Sequence, residues 1–392
     1  MSALPPAPPP EDRASASRLS QAPPAPSDAV TPPSLHTPGT VRPRIMILTA
    51  LASLVGLASL SAVGTSLRAR SIEAAAPNLG ARTDVGGFAM NALHVPVGRH
   101  AELPPIVFIH GASGNLRDQA TAFLGPLKGR AELLFVDRPG HGYSDRGGPQ
   151  TAYPDGQAAA IAALMERRGI ERAIIVGHSF GGAIAASFGV LYPEKTAGLL
   201  FLAPATHPWP GGVDWYYRLA STPILGPLFC HTVALHAGMA RLEAATRNVF
   251  APNPRPETYV EDTGPALVLR PAAFSANATD VANLHGYVSR FSPRYREIAA
   301  PTVIVTGDSD DIVLEEIHSR GLARDIAGSE LVWIRGLGHK PDYAARDLAI
   351  AAIEKIAGRS HDLQAMARAL EPQLEAASVA APDLDIRLQA GR

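Results

Sequence analysis

The sequence predicts an α/β domain with a mostly parallel sheet and a helical insertion. Three observations carry this reading. Short apolar stretches alternate with helical stretches over residues 83–203. The same alternation returns over residues 301–358. Between the two, residues 204–300 hold prolines, aromatics and helical segments such as 233–249, but no convincing strand. Strands that alternate with helices at this spacing build βαβ units, because parallel neighbours need a crossover between them.

The first forty-four residues are rich in Pro, Ala and Ser, with runs such as Pro5-Pro6-Ala7-Pro8-Pro9-Pro10. Such a composition buries too little apolar surface to offset chain entropy, so a disordered or polyproline-like tail is expected there. Residues 45–67 are uncharged and dominated by Leu, Ala, Val and Ile, with Arg42, Arg44, Arg68 and Arg70 on either side. That length spans a bilayer core and predicts a single-pass anchor, so the lipid bilayer is an expected partner. A cleaved signal peptide, with small residues Ser59 and Ser61 near the cut, is the rival reading. The flanking arginines are balanced and leave the orientation open. Residues 68–82 read as a linker, and residues 83–97 as an opening hairpin broken by Gly86-Gly87.

Residues 105–109 and 131–136 are apolar strands, followed by His110-Gly111-Ala112-Ser113-Gly114 and by Asp137-Arg138-Pro139-Gly140-His141-Gly142-Tyr143-Ser144. Residues 157–168 place Ile161, Leu164 and Met165 on one helical face. Residues 173–186 hold an apolar strand, then Gly177-His178-Ser179-Phe180-Gly181, then a run of small residues. In this G-x-S-x-G turn a strand becomes a helix around one strained serine, and glycines stand where a Cβ would collide. The N-terminus of the following helix favours negative charge, which suits an oxyanion. Strands at 198–203, 301–306 and 331–334 and helices at 315–326 and 343–356 complete the pattern. After residue 358 comes a tail to residue 392, in which Leu363, Met366, Leu370 and Leu374 keep helical spacing.

A serine hydroxyl is a weak nucleophile at neutral pH and needs a base, which in turn needs an orienting acid. His339, directly after the 331–334 strand, is the candidate base; Asp308, Asp310 and Asp311, after the 301–306 strand, are candidate acids. The chain order Ser, Asp, His is the order used on this kind of sheet. The net charge of −1 argues against nucleic acid as a partner, and the single cysteine, Cys230, excludes an intrachain disulfide. His207, His231, His236 and His285 lack metal-ligand spacing, and no phosphate loop or dinucleotide fingerprint occurs, so neither metal nor cofactor is expected.

On the His110-Gly111 loop, the Asp137-to-Ser144 segment and the Gly-His-Ser-Phe-Gly-Gly turn, residues 83–356 resemble the α/β-hydrolase fold family. The resemblance implies an eight-stranded sheet with core residues 83–203 and 301–358 and a cap at 204–300. The family's acid commonly sits in Gly-x-x-Asp-x-x-Val, here residues 307–313, which selects Asp310. It implies an oxyanion hole made by the backbone N–H groups of Phe180 and Ala112. His110, Gly111, Trp209, Trp215 and Phe274 are expected to line an apolar substrate pocket, while His141 and His178 read as structural. Family members that attack through aspartate have that residue where this chain has Ser179. The expected activity is therefore hydrolysis of small to medium apolar carboxylic esters through an acyl-enzyme. Carbon–carbon bond hydrolysis, cofactor-free perhydrolysis and a non-catalytic ligand-binding role are the alternatives. A bacterial inner-membrane location follows from the anchor and the Arg- and Ala-rich composition, with the oligomeric state open.

Overall fold

The computed structural model describes residues 43–98 and 101–380. The expectations for residues 1–42 and 381–392 lie outside it. The chain forms two units, Met1–Ala52 and Ser53–Arg392. Of the first, the described part is the start of helix α1 (Pro43–Ala75), where Ile45, Met46, Ile47, Leu48 and Leu51 are exposed. Along Ile45–Ala75 an 18-residue window reaches a mean hydropathy of 2.1, long and apolar enough to cross a bilayer.

In the second unit, eight strands form one sheet: β1 (Ala81–Asp84), β2 (Ala89–Val95), β3 (Ile106–Ile109), β4 (Leu133–Val136), β5 (Ala173–His178), β6 (Thr196–Leu202), β7 (Thr302–Gly307) and β8 (Glu330–Ile334). Their order is β1-β2-β4-β3-β5-β6-β7-β8. Strand β2 pairs antiparallel with both neighbours, and every other pairing is parallel. Strands β3 and β4 are apolar at every position because both faces are covered. On β3, Val107 and Ile109 enter one core while Ile106 and Phe108 enter the other; on β5, Ile175 faces the first core, and Ile174 and Val176 the second.

Helices α2 (Leu116–Leu127), α3 (Pro154–Arg167) and α4 (Phe180–Leu191) make the first crossovers. Between β6 and β7 come α5 (Trp215–Ala220), α6 (Leu225–Phe229), α7 (Leu235–Phe250), α8 (Tyr259–Thr263) and α9 (Pro271–Phe291). A π-helical turn, Cys230–Ala234, joins α6 to α7. The chain closes with α10 (Glu315–Asp325), α11 (Pro341–Ala344), α12 (Arg346–Ile356) and α13 (Leu363–Ala380). Helix α13 covers the sheet: Leu363, Ala367 and Leu374 are buried in the second core.

Two local expectations need correction. The stretch read as a linker at 68–82 is helical as far as Ala75. Ile72 and Ala76 pack with Leu235, Leu267 and Leu269, Glu73 pairs with Arg270 at 2.7 Å, and the Tyr143 hydroxyl donates to the Ala76 carbonyl at 2.8 Å. Tertiary packing thus carries the helix past the end of the apolar run. Helix α2 was not anticipated, because Gly125 and Pro126 fall inside it. Asn115 caps it by accepting the Arg117 N–H at 2.9 Å, and Phe123 and Leu127 anchor its buried face.

Candidate active site

Ser179 stands between β5 and α4 at φ 52°, ψ −118°, a left-handed conformation costly for a residue with a Cβ. Three backbone bonds hold it there. Its N–H donates to Leu202 at 3.0 Å, and its carbonyl accepts from Gly182 at 2.8 Å and Ala205 at 3.0 Å. The turn needs its glycines: a Cβ on Gly177 would strike the Gly181 carbonyl, and one on Gly181 the Ile109 carbonyl. Gly111 brings the loop after β3 equally close, since a Cβ there would lie 3.0 Å from the Ser179 Cβ. The Phe180 N–H is the first donor of α4, and the N–H groups of a helix's first turn lack intrahelical partners.

His339 follows β8 in the turn that leads to α11. Its Nδ1 donates to Asp310 Oδ2 at 2.7 Å, with both side chains buried. The other carboxylate oxygen, Oδ1, accepts the N–H groups of Ile312 and Val313, both at 2.9 Å, which orients Asp310. The His339 carbonyl accepts Nε2–H of His178, the residue preceding Ser179, at 2.8 Å, and the two imidazoles lie 5.0 Å apart. The structure thus joins His339 to Asp310 and ties the His339 backbone to the serine turn. Among the described residues, no hydrogen bond links the Ser179 hydroxyl to His339. Such bonds are commonly long before substrate arrives.

Residues 104–341 match the family model described as the alpha/beta hydrolase fold. The chain belongs to this family. It is 26% identical over 253 residues to a 2-hydroxy-6-oxononadienedioate/2-hydroxy-6-oxononatrienedioate hydrolase of Klebsiella pneumoniae, covering 60% of this chain and 80% of that one. A shorter match, 35% identical over 99 residues, covers 25% of this chain and only 26% of a dihydrolipoyllysine-residue acetyltransferase component of an acetoin cleaving system from Cupriavidus necator. The fold is similar to that of a bacterial membrane phospholipase A at TM-score 0.55 and 20% identity, over 82% of this chain and all of that one.

Around this candidate site lie two buried ionic assemblies that the sequence does not announce. Behind His339, the Lys340 ammonium donates to Asp118 Oδ2 at 2.8 Å and to Asp342 Oδ2 at 2.9 Å. The rings of Tyr343, Phe250 and Tyr259 stand 5.0, 5.8 and 5.9 Å from it. Burial works against the ammonium, but Asp118 and Asp342 outweigh it and push its pKa up. Burial holds the Asp342 carboxyl up to about 6, against the pull of Lys340. Oxygens of Asp118 and Asp342 and a ring nitrogen of His178 lie within 4.8 Å of one another, a spacing suited to a metal, but Lys340 already supplies a cation to both carboxylates. Burial, then Lys340 and His339, push the His178 pKa well down, so its ring is neutral.

The second assembly holds the loop that carries Ala112. Arg138 pairs with Asp280 of α9 at 3.0 Å, both fully buried, and donates to the Gly111 carbonyl at 3.2 Å. Its guanidinium also stacks 4.4 Å from the Phe180 ring. The His110 ring accepts the Arg138 N–H at 3.1 Å, and burial with the Arg138 charge keeps His110 and His141 neutral. Two asparagines connect the residues between β6 and β7 to the site. Asn277 accepts the Ser113 N–H at 2.7 Å; Asn253 accepts the Gly338 N–H and donates to the Gly336 carbonyl, both at 2.8 Å.

The aromatics expected to line a pocket separate. Trp209 is half-buried against the rings of His285 and His318. Phe274 packs with Tyr217 and Phe229 in a different cluster. Trp215 is exposed on the outer surface, at 69%.

Proposed function

We propose that this protein is a membrane-anchored serine hydrolase of apolar carboxylic esters. The observation that carries the reading is the 2.7 Å bond from His339 Nδ1 to Asp310, at the sheet edge where Ser179 is held strained. With Nδ1–H committed to Asp310, Nε2 is left as a base. It takes the Ser179 proton as Oγ attacks the ester carbonyl. The N–H groups of Phe180 and Ala112 receive the oxyanion, and the imidazolium then returns its proton to the leaving alcohol. Water, activated by the same nitrogen, releases the acid and frees Ser179.

The apolar stretch of α1 supports a membrane anchor, and the likeness to a membrane phospholipase A favours esters that reside in lipid. The similarity to a 2-hydroxy-6-oxononadienedioate hydrolase supports a second reading, hydrolysis of a carbon–carbon bond by the same residues. A fluorophosphonate probe should label the full chain, and Ser179→Ala should abolish both labelling and ester hydrolysis, the latter by at least ~10⁴-fold. Activity of Ser179→Ala within tenfold of wild type would refute the assignment. Turnover of a vinylogous diketo acid with no turnover of any ester would favour the second reading.

A further inference from the structure

Residues 219–240, which run from the end of α5 into α7, contain no Asp, Glu, Lys or Arg, and Arg218 and Arg241 close the stretch at each end. Much of it faces outward. Ile224 is 83% exposed, Leu225, Leu228 and Val233 about half, and Trp215 lies beside Phe229 with ring centroids 6.2 Å apart. A contiguous apolar surface of this kind marks a contact with another apolar phase.

Helix α1 says which phase. The Ser61 hydroxyl donates to the Thr232 carbonyl at 2.5 Å, and Thr65 bonds the His236 ring at 3.2 Å. Both contacts have the same separation along the chain, 171 residues, so the two helices advance in the same direction through them. Ser61 lies six residues, or about 9 Å of helix, inside the end of the apolar run at Leu67. Thr232 is therefore level with the outer part of the span, and Leu228 and Leu225, earlier on their helix, lie on its membrane side. By the same register Leu228 is level with Leu57, ten residues or about 15 Å inside Leu67, so this face runs inward from the lipid–water boundary. Tryptophan, exposed here as Trp215, is enriched at that boundary. Arg68, beside Leu235 and Met239, is placed at headgroup level.

We propose that the face formed by Trp215, Ile224, Leu225, Leu228 and Val233 is a second membrane contact, inserted into the lipid leaflet that α1 enters. The proposal rests on the reading of α1 as an anchor. In consequence, the insertion whose Asn253 and Asn277 hold the loops of the proposed site lies against lipid, and an acyl ester dissolved in the leaflet meets it without passing through water.

The test uses the full chain in vesicles of phosphatidylethanolamine and phosphatidylglycerol with brominated acyl chains. Cys230→Ala removes the sole cysteine. Single cysteines are then introduced by Ile224→Cys, Leu228→Cys, Leu57→Cys within α1, and Glu194→Cys on an exposed site elsewhere, each carrying a bimane label. Bromolipid should quench the labels at 224 and 228 at least threefold more than the label at 194, and to an extent approaching that at 57. Quenching at 57 with 224 and 228 resembling 194 would overturn the proposal and leave the anchor standing. No quenching at 57 would remove the anchor and the proposal together. Efficient oxidation of Ile224→Cys to a covalent dimer, without quenching, would make this face a self-association surface and also overturn the proposal.

Discussion

Replacing Lys340 with methionine tests whether the buried charge behind His339 supports the site. The side chain is fully buried, and its ammonium is the cation shared by Asp118 and Asp342. Methionine preserves most of the apolar volume, so the loss is electrostatic: two carboxylates remain in an aromatic enclosure without a counter-charge. Removing one partner of a buried ion pair costs about 3–5 kcal/mol. At about 2 °C per kcal/mol for a chain of this size, thermal unfolding should fall by roughly 6–10 °C. The loss should also depend on pH. Burial already holds the Asp342 carboxyl up to about 6, and removing Lys340 raises it further. A carboxyl whose folded pKa is raised contributes stability while protonated and loses it as pH climbs through that pKa. Lys340→Met should therefore be mildest near pH 5 and most severe near pH 8. Circular dichroism melts of the detergent-solubilised protein at both pH values measure this, and adding Asp118→Asn and Asp342→Asn should restore at least half the loss. A drop below 2 °C, or an equal drop at both pH values, would refute the electrostatic argument.

Asp310→Asn keeps the shape of the pair but removes the charge that fixes the His339 tautomer, so kcat on a p-nitrophenyl ester should fall by about 10⁴. Asn253→Ala removes that side chain's two hydrogen bonds to the turn before His339. In steady-state kinetics it should lower kcat about tenfold with KM nearly unchanged, because it displaces His339, the proposed base, and leaves the rest of the site in place. Arg138→Met leaves Asp280 with Arg146, 2.6 Å away, as its one cation and with the Gln157 amide at 2.8 Å, and should cost about 3 kcal/mol in urea unfolding.

The sheet was legible because strands covered on both faces have only one way to be written: Ile106-Val107-Phe108-Ile109 and Leu133-Leu134-Phe135-Val136 admit no polar residue. The serine turn was legible through the steric demand for Gly177 and Gly181; the strand end offered Asp308, Asp310 and Asp311 to His339, and only the family resemblance selected Asp310, the one that His339 bonds. The ionic assemblies were not. Lys340 meets Asp118 across 222 positions and Arg138 meets Asp280 across 142, and a lone charge in sequence does not disclose a distant partner. The continuation of α1 to Ala75 was hidden for a related reason. Hydropathy ends at Leu67, while the contacts of Ile72 and Ala76 come from residues far along the chain.

The two asparagines have a bearing on how enzymes of this type diversify. Asn253 reaches the turn before His339 and Asn277 the loop that carries Ala112, so the insertion is a structural member of both loops of the proposed active site. Exchanging the whole insertion for a relative's, in search of new selectivity, would disconnect those loops unless Asn253, Asn277 and Asp280 travelled with it. Variation that spares activity is thereby steered toward positions of the insertion that touch neither loop.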